Sequence, residues 1–397
     1  MKVAVVTHFY PPEGGAAALR VRSMVDAFAA KGHDVTVVTT YPSFQHDDAA
    51  SRKKLARVER EGDVRIVRLY SLLAPRLPGS RLVHWVSAAL SASLYLLTAR
   101  ERFDVIVASS PPITLALPAL AGAARHRARL IVDVRDIYPD IGISMGVWKT
   151  NSPIVRLMER LVRKLYRRAD LVVVVTARGI SQIAARGIDR DRIFLARNAY
   201  ERDPIVSGLS PKATVASDGF TAVYAGNLGL ATDVDVLVDA AALVAQDGIT
   251  IDIVGDGAQE PRLRERIASE GVNNLRIKGS FPRREALAMV AEADVSVIPL
   301  RKGLTESIPT KIYDSLSVGC PVVVVAEGEA VDEGSSLGAL CTPAGDAVAL
   351  AAMLRQLSLL DKSALRKIGD DGKSALSKRP DRSAIMSELV GRVTALC

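Results

Sequence analysis

Two carboxylates separated by seven residues, Glu306 and Asp314, stand in the segment Glu306-Ser-Ile-Pro-Thr-Lys-Ile-Tyr-Asp314-Ser-Leu-Ser-Val-Gly319-Cys-Pro321. Pro309 fits the first turn of a helix, where no backbone donor is needed, and Gly319 fits its stop before an apolar strand at 321–325. Glu306 then lies on the loop entering the helix and Asp314 lies inside it. Loop and helix together can hold two carboxylates along a bound nucleotide sugar, one at the sugar hydroxyls and one at the ribose. The helix N-terminus with Lys311 would meet the phosphates. On this segment alone, a charge pair at a helix N-terminus without a ligand is the default reading.

A second candidate is Pro11-Pro12-Glu13-Gly14-Gly15, between an apolar strand at 2–7 and helical periodicity from Leu19. Gly14 and Gly15 let the backbone approach a ligand and leave helix amides free for an anion. The GxGxxG dinucleotide fingerprint is absent from this loop, so a nicotinamide cofactor loses its main support.

Such residues need a scaffold. Short apolar strands near 2–7, 35–39, 104–109, 130–134, 171–175 and 193–196 alternate with helical segments, and the pattern restarts at 220–225. It continues with strands near 249–254, 274–278, 294–298 and 321–325 and helices from about 233, 261, 284 and 311. Continuous apolar strands separated by helices predict parallel sheets covered on both faces. The expectation is an α/β chain of two doubly wound Rossmann-like domains facing a central cleft: 1–200, a linker at 201–218, and 219–378. The remaining residues, 379–397, read as a closing helix packing back on the first domain.

Motifs in both domains carry a resemblance. Glu306 and Asp314, the small-residue helix and the Gly-x-Pro-Val turn after it resemble the signature of the family-four retaining glycosyltransferases of GT-B fold, in which the second acid is usually Glu. Lys31-Gly32-His33-Asp34-Val35, Tyr224-Ala225-Gly226-Asn227-Leu228-Gly229, Val254-Gly255-Asp256-Gly257, Gly279-Ser280-Phe281 and Ala293-Asp294-Val295 extend the likeness over nearly the whole chain. Asp133-Val134-Arg135-Asp136-Ile137-Tyr138-Pro139 is similar to a subgroup that transfers amino sugars in O-antigen and capsule assembly.

The resemblance implies transfer of an N-acetylated or deoxy amino sugar, with retention, from a UDP-sugar to a polyprenyl-pyrophosphate-linked or other surface-glycan acceptor. It implies donor contacts from Gly14, Gly15, Gly226, Asn227, Gly255, Ser280, Phe281, Lys302, Ile308, Pro309, Thr310, Lys311 and Asp314, with Glu306, Arg135 and Asp136 catalytic. Two positions depart from the pattern. Arg135-Asp136 stands where many relatives carry a His, and Asn227 and Thr232 stand where many carry Arg and Lys for the pyrophosphate. Lys311, Arg301 and Lys302 are the nearest replacement cations. The UDP-sugar is a co-substrate and no cofactor or metal is expected, because Asp233-Val-Asp235 reads as a helix start, where carboxylates favour the dipole.

Charge divides along the chain. The overall excess is +8, but residues 1–200 carry 31 basic and 17 acidic side chains, a net of +14, while residues 201–397 carry 21 and 27, a net of −6. Pro153–Arg168 reads as a basic amphipathic helix, and with Arg125, Arg127, Arg129, Arg160, Arg163 and Lys164 it predicts contact with anionic lipid. Leu82–Ala99 carries no charge over eighteen residues. A span there would split the first sheet, so it reads as a helix packed on the sheet or dipped into a membrane surface. Three widely spaced cysteines fit a reducing compartment, and the N-terminus lacks a signal-peptide apolar core, so the expected location is cytoplasmic, peripheral on the inner face of the cell membrane. A UDP-sugar epimerase of the same fold lacks an acid/base constellation here. A nucleic-acid-binding role is disfavoured by 5% aromatic content and the absence of a recognition motif.

Overall fold

The computed structural model describes residues 1–42, 55–72, 80–202, 209 and 219–397, without the side chains of 80 and 81. Most of the 201–218 linker lies outside the described residues. The chain divides into two units, Met1–Asn198 with Arg382–Cys397, and Ala199–Asp381.

The first unit runs β1 (Lys2–Val6), α1 (Ala16–Ala30), β2 (Asp34–Thr40), β3 (Ala56–Glu61), β4 (Val64–Leu69), α2 (Ser80–Thr98), β5 (Val105–Ser110), α3 (Ala116–His126), β6 (Arg129–Val134), α4 (Asp140–Ser144), α5 (Pro153–Arg168), β7 (Leu171–Val174), α6 (Ala177–Ala185) and β8 (Ile193–Leu195). Its sheet has the order β3-β4-β2-β1-β5-β6-β7-β8, parallel except for β3. Strand alternation sends Val3 and Val5 to a core with Val21, Val25 and Phe28 of α1, and Ala4 and Val6 to the opposite core with Leu96, Ala119 and Val162 from α2, α3 and α5.

The antiparallel β3–β4 hairpin is absent from the predicted strand list. Its outer strand reads Ala-Arg-Val-Glu-Arg-Glu and is mostly exposed. Arg68 of β4 is buried and donates from Nε to Glu59 at 3.0 Å and from Nη2 to the Pro11 carbonyl at 2.7 Å. Charges therefore occupy positions that a strand pattern would fill with apolar residues.

The second unit runs β9 (Phe220–Ala225), α7 (Asp235–Leu243), β10 (Ile249–Val254), α8 (Glu260–Glu270), β11 (Leu275–Gly279), α9 (Arg283–Glu292), β12 (Val295–Pro299), α10 (Lys311–Ser317), β13 (Val322–Ala326), α11 (Glu329–Ser336), β14 (Leu340–Pro343), α12 (Ala347–Ser358) and α13 (Lys362–Ser377). All six strands are parallel in the order β11-β10-β9-β12-β13-β14. That order reverses between β9 and β12, which makes the carboxyl ends of these strands the expected ligand position. The final helix, α14 (Arg382–Thr394), lies in the first unit, where Met386, Leu389, Val390 and Val393 join Val21 and Val25 in one core.

One local correction concerns Pro309. The helix begins at Lys311 with Thr310 as its N-cap, so Pro309 precedes the first turn rather than lying within it. Gly319 does follow the helix, at φ +77, and its amide donates to the Leu316 carbonyl at 3.0 Å.

Candidate active site

In the second unit, the loops leaving β9, β10 and β11 are stacked backbone on backbone. Gly226 N–H donates to the Val254 carbonyl at 2.8 Å, Leu228 N–H to Asp256 at 2.7 Å, and Gly255 N–H to Gly279 at 2.7 Å. A Cβ on Gly255 would lie 2.0 Å from the Gly226 carbonyl oxygen, so the approach of these two loops requires glycine. Tyr224, at the end of β9, donates its hydroxyl to the Asn227 carbonyl at 2.9 Å, and Thr232 donates to the same oxygen at 3.2 Å. The glycine loop is thereby pinned from within its own unit.

Lys311, the first residue of α10, runs across that loop. A Cβ on Gly226 would lie 1.8 Å from Lys311 Cε, and Nζ sits 5.6 Å from the centroid of the Tyr224 ring. A cation is thus held over the aromatic ring at the strand-order reversal by residues with no phosphate-binding Arg or Lys of their own. Arg301 and Lys302 lie exposed just after β12. Ile308 is buried with Ile312 and Leu300, which fixes the segment carrying half-buried Glu306. Pro309 accepts from Ile312 N–H at 3.2 Å.

Asp314 accepts from Arg283 Nη2 at 2.8 Å, a partner thirty-one positions upstream that the sequence reading missed. No local spacing signals it, because α9 and α10 meet only through the fold. Phe281 is partly buried against the Val223, Val254 and Leu287 cluster, next to exposed Ser280. Asp235 is engaged by Arg262 at 2.7 Å and Arg266 at 2.8 Å at the start of α7. Among the described residues, no group of three or more His, Cys, Asp or Glu side chains is placed to hold a metal ion.

In the first unit, a polar cluster gathers where β1, β5 and β6 end. Arg135 follows β6; its Nη2 donates to the Pro111 carbonyl at 2.8 Å and its guanidinium carbon lies 5.6 Å from the Phe9 ring centroid. His8 follows β1 and is 5% exposed, with its ring edge-on to Phe9 at 4.9 Å and to His84 at 4.8 Å. Among the described residues, His8 Nδ1 and Arg135 Nε are buried without a hydrogen-bond partner. Burial, then His84 and Arg135, bring the His8 imidazole down to about 4. Burial pushes the Asp136 carboxyl up, with Arg135 opposing it, and burial followed by Asp136 pushes Tyr138 up to about 12. His8 was not among the candidates read from the sequence. Its signal was a polar residue directly after an apolar strand.

Beneath this cluster, Asp133 is fully buried. Arg20 of α1 donates to it from Nη2 at 2.7 Å and from Nε at 3.1 Å, and Ser109 donates at 3.2 Å. Gly14 and Gly15 are exposed at the N-terminus of α1, where a Cβ on either would meet nothing within 4 Å. The predicted lipid-facing cations separate into two kinds. Arg125, Arg127, Arg160 and Lys164 are exposed, while Arg129 and Arg163, also exposed, are ion-paired with Asp170 and Glu159, each at 2.8 Å.

Residues 15–199 match the family model described as a glycosyl transferase 4-like domain, and residues 219–359 match that described as glycosyl transferases group 1. The chain belongs to the glycosyltransferases. This bears out the family resemblance drawn from the sequence motifs. Among curated relatives, this glycosyltransferase is 25% identical over 388 residues to a protein named as a colanic acid biosynthesis glycosyl transferase, WcaI of Escherichia coli (strain K12), covering 91% of this chain and 93% of the relative. It is 27% identical over 300 residues to a protein named as the glycosyltransferase WbjE of Pseudomonas aeruginosa, covering 72% and 74%. Among solved structures, it is similar to sucrose-phosphate synthase from Thermosynechococcus elongatus, with TM-score 0.76 and 17% identity over 100% of this chain and 98% of that one. It is also similar to Anabaena HepE in complex with UDP and glucose, with TM-score 0.70 and 18% identity over the full length of both. These likenesses establish the GT-B fold.

Proposed function

We propose that this glycosyltransferase moves an amino sugar, with retention at the anomeric carbon, from a UDP donor to a polyprenyl-pyrophosphate-linked glycan during surface polysaccharide assembly. The observation that carries the donor site is the Lys311 ammonium held across Gly226 at the strand-order reversal of the second unit. The UDP and UDP-glucose complexes of HepE support the choice of base, and the name of WcaI supports the polysaccharide setting. The Asp133–Pro139 motif supports the amino sugar.

In this reading the bond from the anomeric carbon to the diphosphate oxygen breaks as the bond to the acceptor hydroxyl forms on the same face. The departing phosphate takes the hydroxyl's proton, so the protein supplies charge stabilisation and positioning rather than a nucleophile. Lys311 neutralises the leaving diphosphate. Glu306 orients the donor sugar, Asp314 contacts its ribose, and Arg135 with Asp136 serves the transfer from the first unit. No metal takes part. The exposed cations of α3 and α5 support a position at the anionic inner face of the cell membrane, where such an acceptor would be held.

A thermal-shift screen of nucleoside diphosphates and their sugars tests the donor assignment, because a ligand bound only by the folded chain raises its apparent stability. UDP and UDP-N-acetylamino sugars are expected to stabilise the protein above other nucleotides. Stabilisation by none of them overturns the donor site, and an inverted product anomer in NMR overturns retention.

A further inference from the structure

Helix α2 is built inside out for a soluble protein. Its inward positions are mostly small: Ala88, Ala89 and Ala92 are buried with His84 and Leu96. Its large aliphatic residues Leu82, Val83, Val86, Leu90, Leu94 and Leu97 face outward, with Leu90 and Leu94 60% and 64% exposed. Spacings of three and four put Val83, Val86, Leu90, Leu94 and Leu97 on one stripe. Ser87, Ser91 and Ser93 on this helix are satisfied within the protein. Ser87 accepts from Leu72 N–H at 2.9 Å, Ser91 donates to the Tyr70 carbonyl at 2.7 Å, and Ser93 donates to Ala89 at 2.7 Å.

The surroundings are cationic. Arg100 and Arg102 are exposed directly after α2. Neighbouring α3 exposes Leu117, and its end exposes Arg125 and Arg127. Next to α3, α5 exposes Ile154 and Leu157 among Arg156, Arg160 and Lys164, while its one acid, Glu159, is held by Arg163 and Arg186. An apolar stripe of this size is unusual on a free surface and marks an interaction site. Its uniform aliphatic character and basic border match the apolar boundary and anionic headgroups of a bilayer. A second copy would bring the same cations against each other. No described helix is long and apolar enough to cross a membrane.

We propose that the outer face of α2 lies flat in the surface of an anionic bilayer, with Leu90 and Leu94 inserted and the cations of α3 and α5 at the headgroups. This rests on the membrane-side placement proposed above and assigns the anchoring step to α2 rather than to α5.

The test is flotation of the full chain with phosphatidylcholine vesicles, with and without phosphatidylglycerol. The wild-type chain is expected to float with the anionic vesicles. Leu90→Ser/Leu94→Ser is expected to weaken partition by about tenfold or more while leaving thermal unfolding unchanged, since both side chains are exposed. Leu90→Trp is expected to show blue-shifted emission quenched by brominated acyl chains. If the double serine variant floats like the wild type and Leu90→Trp is not quenched, while Arg160→Glu/Lys164→Glu abolishes flotation, α2 insertion is wrong and the membrane placement stands. If the wild-type chain floats with neither vesicle, both fall. A wild-type dimer dissolved by the serine substitutions, without vesicle binding, would assign the stripe to a second copy and overturn the proposal.

Discussion

The ammonium of Lys311 lies 5.6 Å from the centroid of the Tyr224 ring, reaching it across Gly226. Two glycine substitutions separate this contact from the architecture beneath it. In Gly226→Ala the new methyl meets the flexible Lys311 side chain, which can swing aside, but φ +157 strains any side chain there; UDP affinity is expected to fall about tenfold, with a smaller loss in melting temperature than a clash with backbone would cause. In Gly255→Ala the methyl meets the Gly226 carbonyl at 2.0 Å, and backbone cannot swing aside. A melting-temperature loss of several degrees, equivalent to about 2 kcal/mol or more, is expected there. Calorimetric titration beside thermal unfolding checks both.

Arg283 and Asp314 form a partly exposed pair at 2.8 Å, for which about 0–1 kcal/mol is the usual worth. Arg283→Ala is therefore expected to leave stability nearly unchanged. If Asp314 contacts the donor, the loss of its holder raises the KM for the nucleotide sugar several-fold at little cost in kcat, and steady-state kinetics on the donor would show this split. An unchanged KM would remove Asp314 from the donor site.

The imidazole of His8 is held neutral, down to about 4 from an ordinary 6.5. As pH falls from about 6.5 the unfolded chain takes up the proton first, so stability is fully present above that value and is lost towards pH 4. The shift corresponds to roughly 3 kcal/mol at its upper limit. His8→Gln cannot take up this proton, and urea titrations across the window should show a shallower loss for the variant than for the wild type.

Buried Asp133 depends on Arg20, with side-chain exposures of 0% and 3%. Arg20→Met leaves a carboxylate without its cation and is expected to cost about 3–5 kcal/mol. Arg20→Met/Asp133→Val removes both charges and should recover much of that loss in urea denaturation. Equal destabilisation by the single and double variants would show that shape, not charge pairing, sets the cost.

The core strands were legible because parallel strands buried on both faces are continuous apolar runs; Val3–Val6 and Val322–Val325 need no partner to be recognised. The β3–β4 hairpin was not, since its edge strand is charged and Arg68 is buried only because Glu59 and the Pro11 carbonyl meet it. Lys311 was legible as a cation near a helix start, but not its position over Tyr224, which requires the first residue of α10 to be brought over the end of β9. His8 and Arg283 escaped for the same reason: each acquires its meaning from residues brought together by topology. Pro309 was misplaced by one turn's ambiguity, as proline suits both a first turn and the residue before a cap.

The donor site in the second unit is tested most directly by calorimetric titration of UDP into the wild-type chain and into Lys311→Ala. Saturable binding to the wild type, weakened about tenfold or more in a variant that unfolds at the same temperature, is the expected result. Equal affinity in the two proteins would contradict the diphosphate role of Lys311, and absence of binding to the wild type would contradict a UDP donor site altogether.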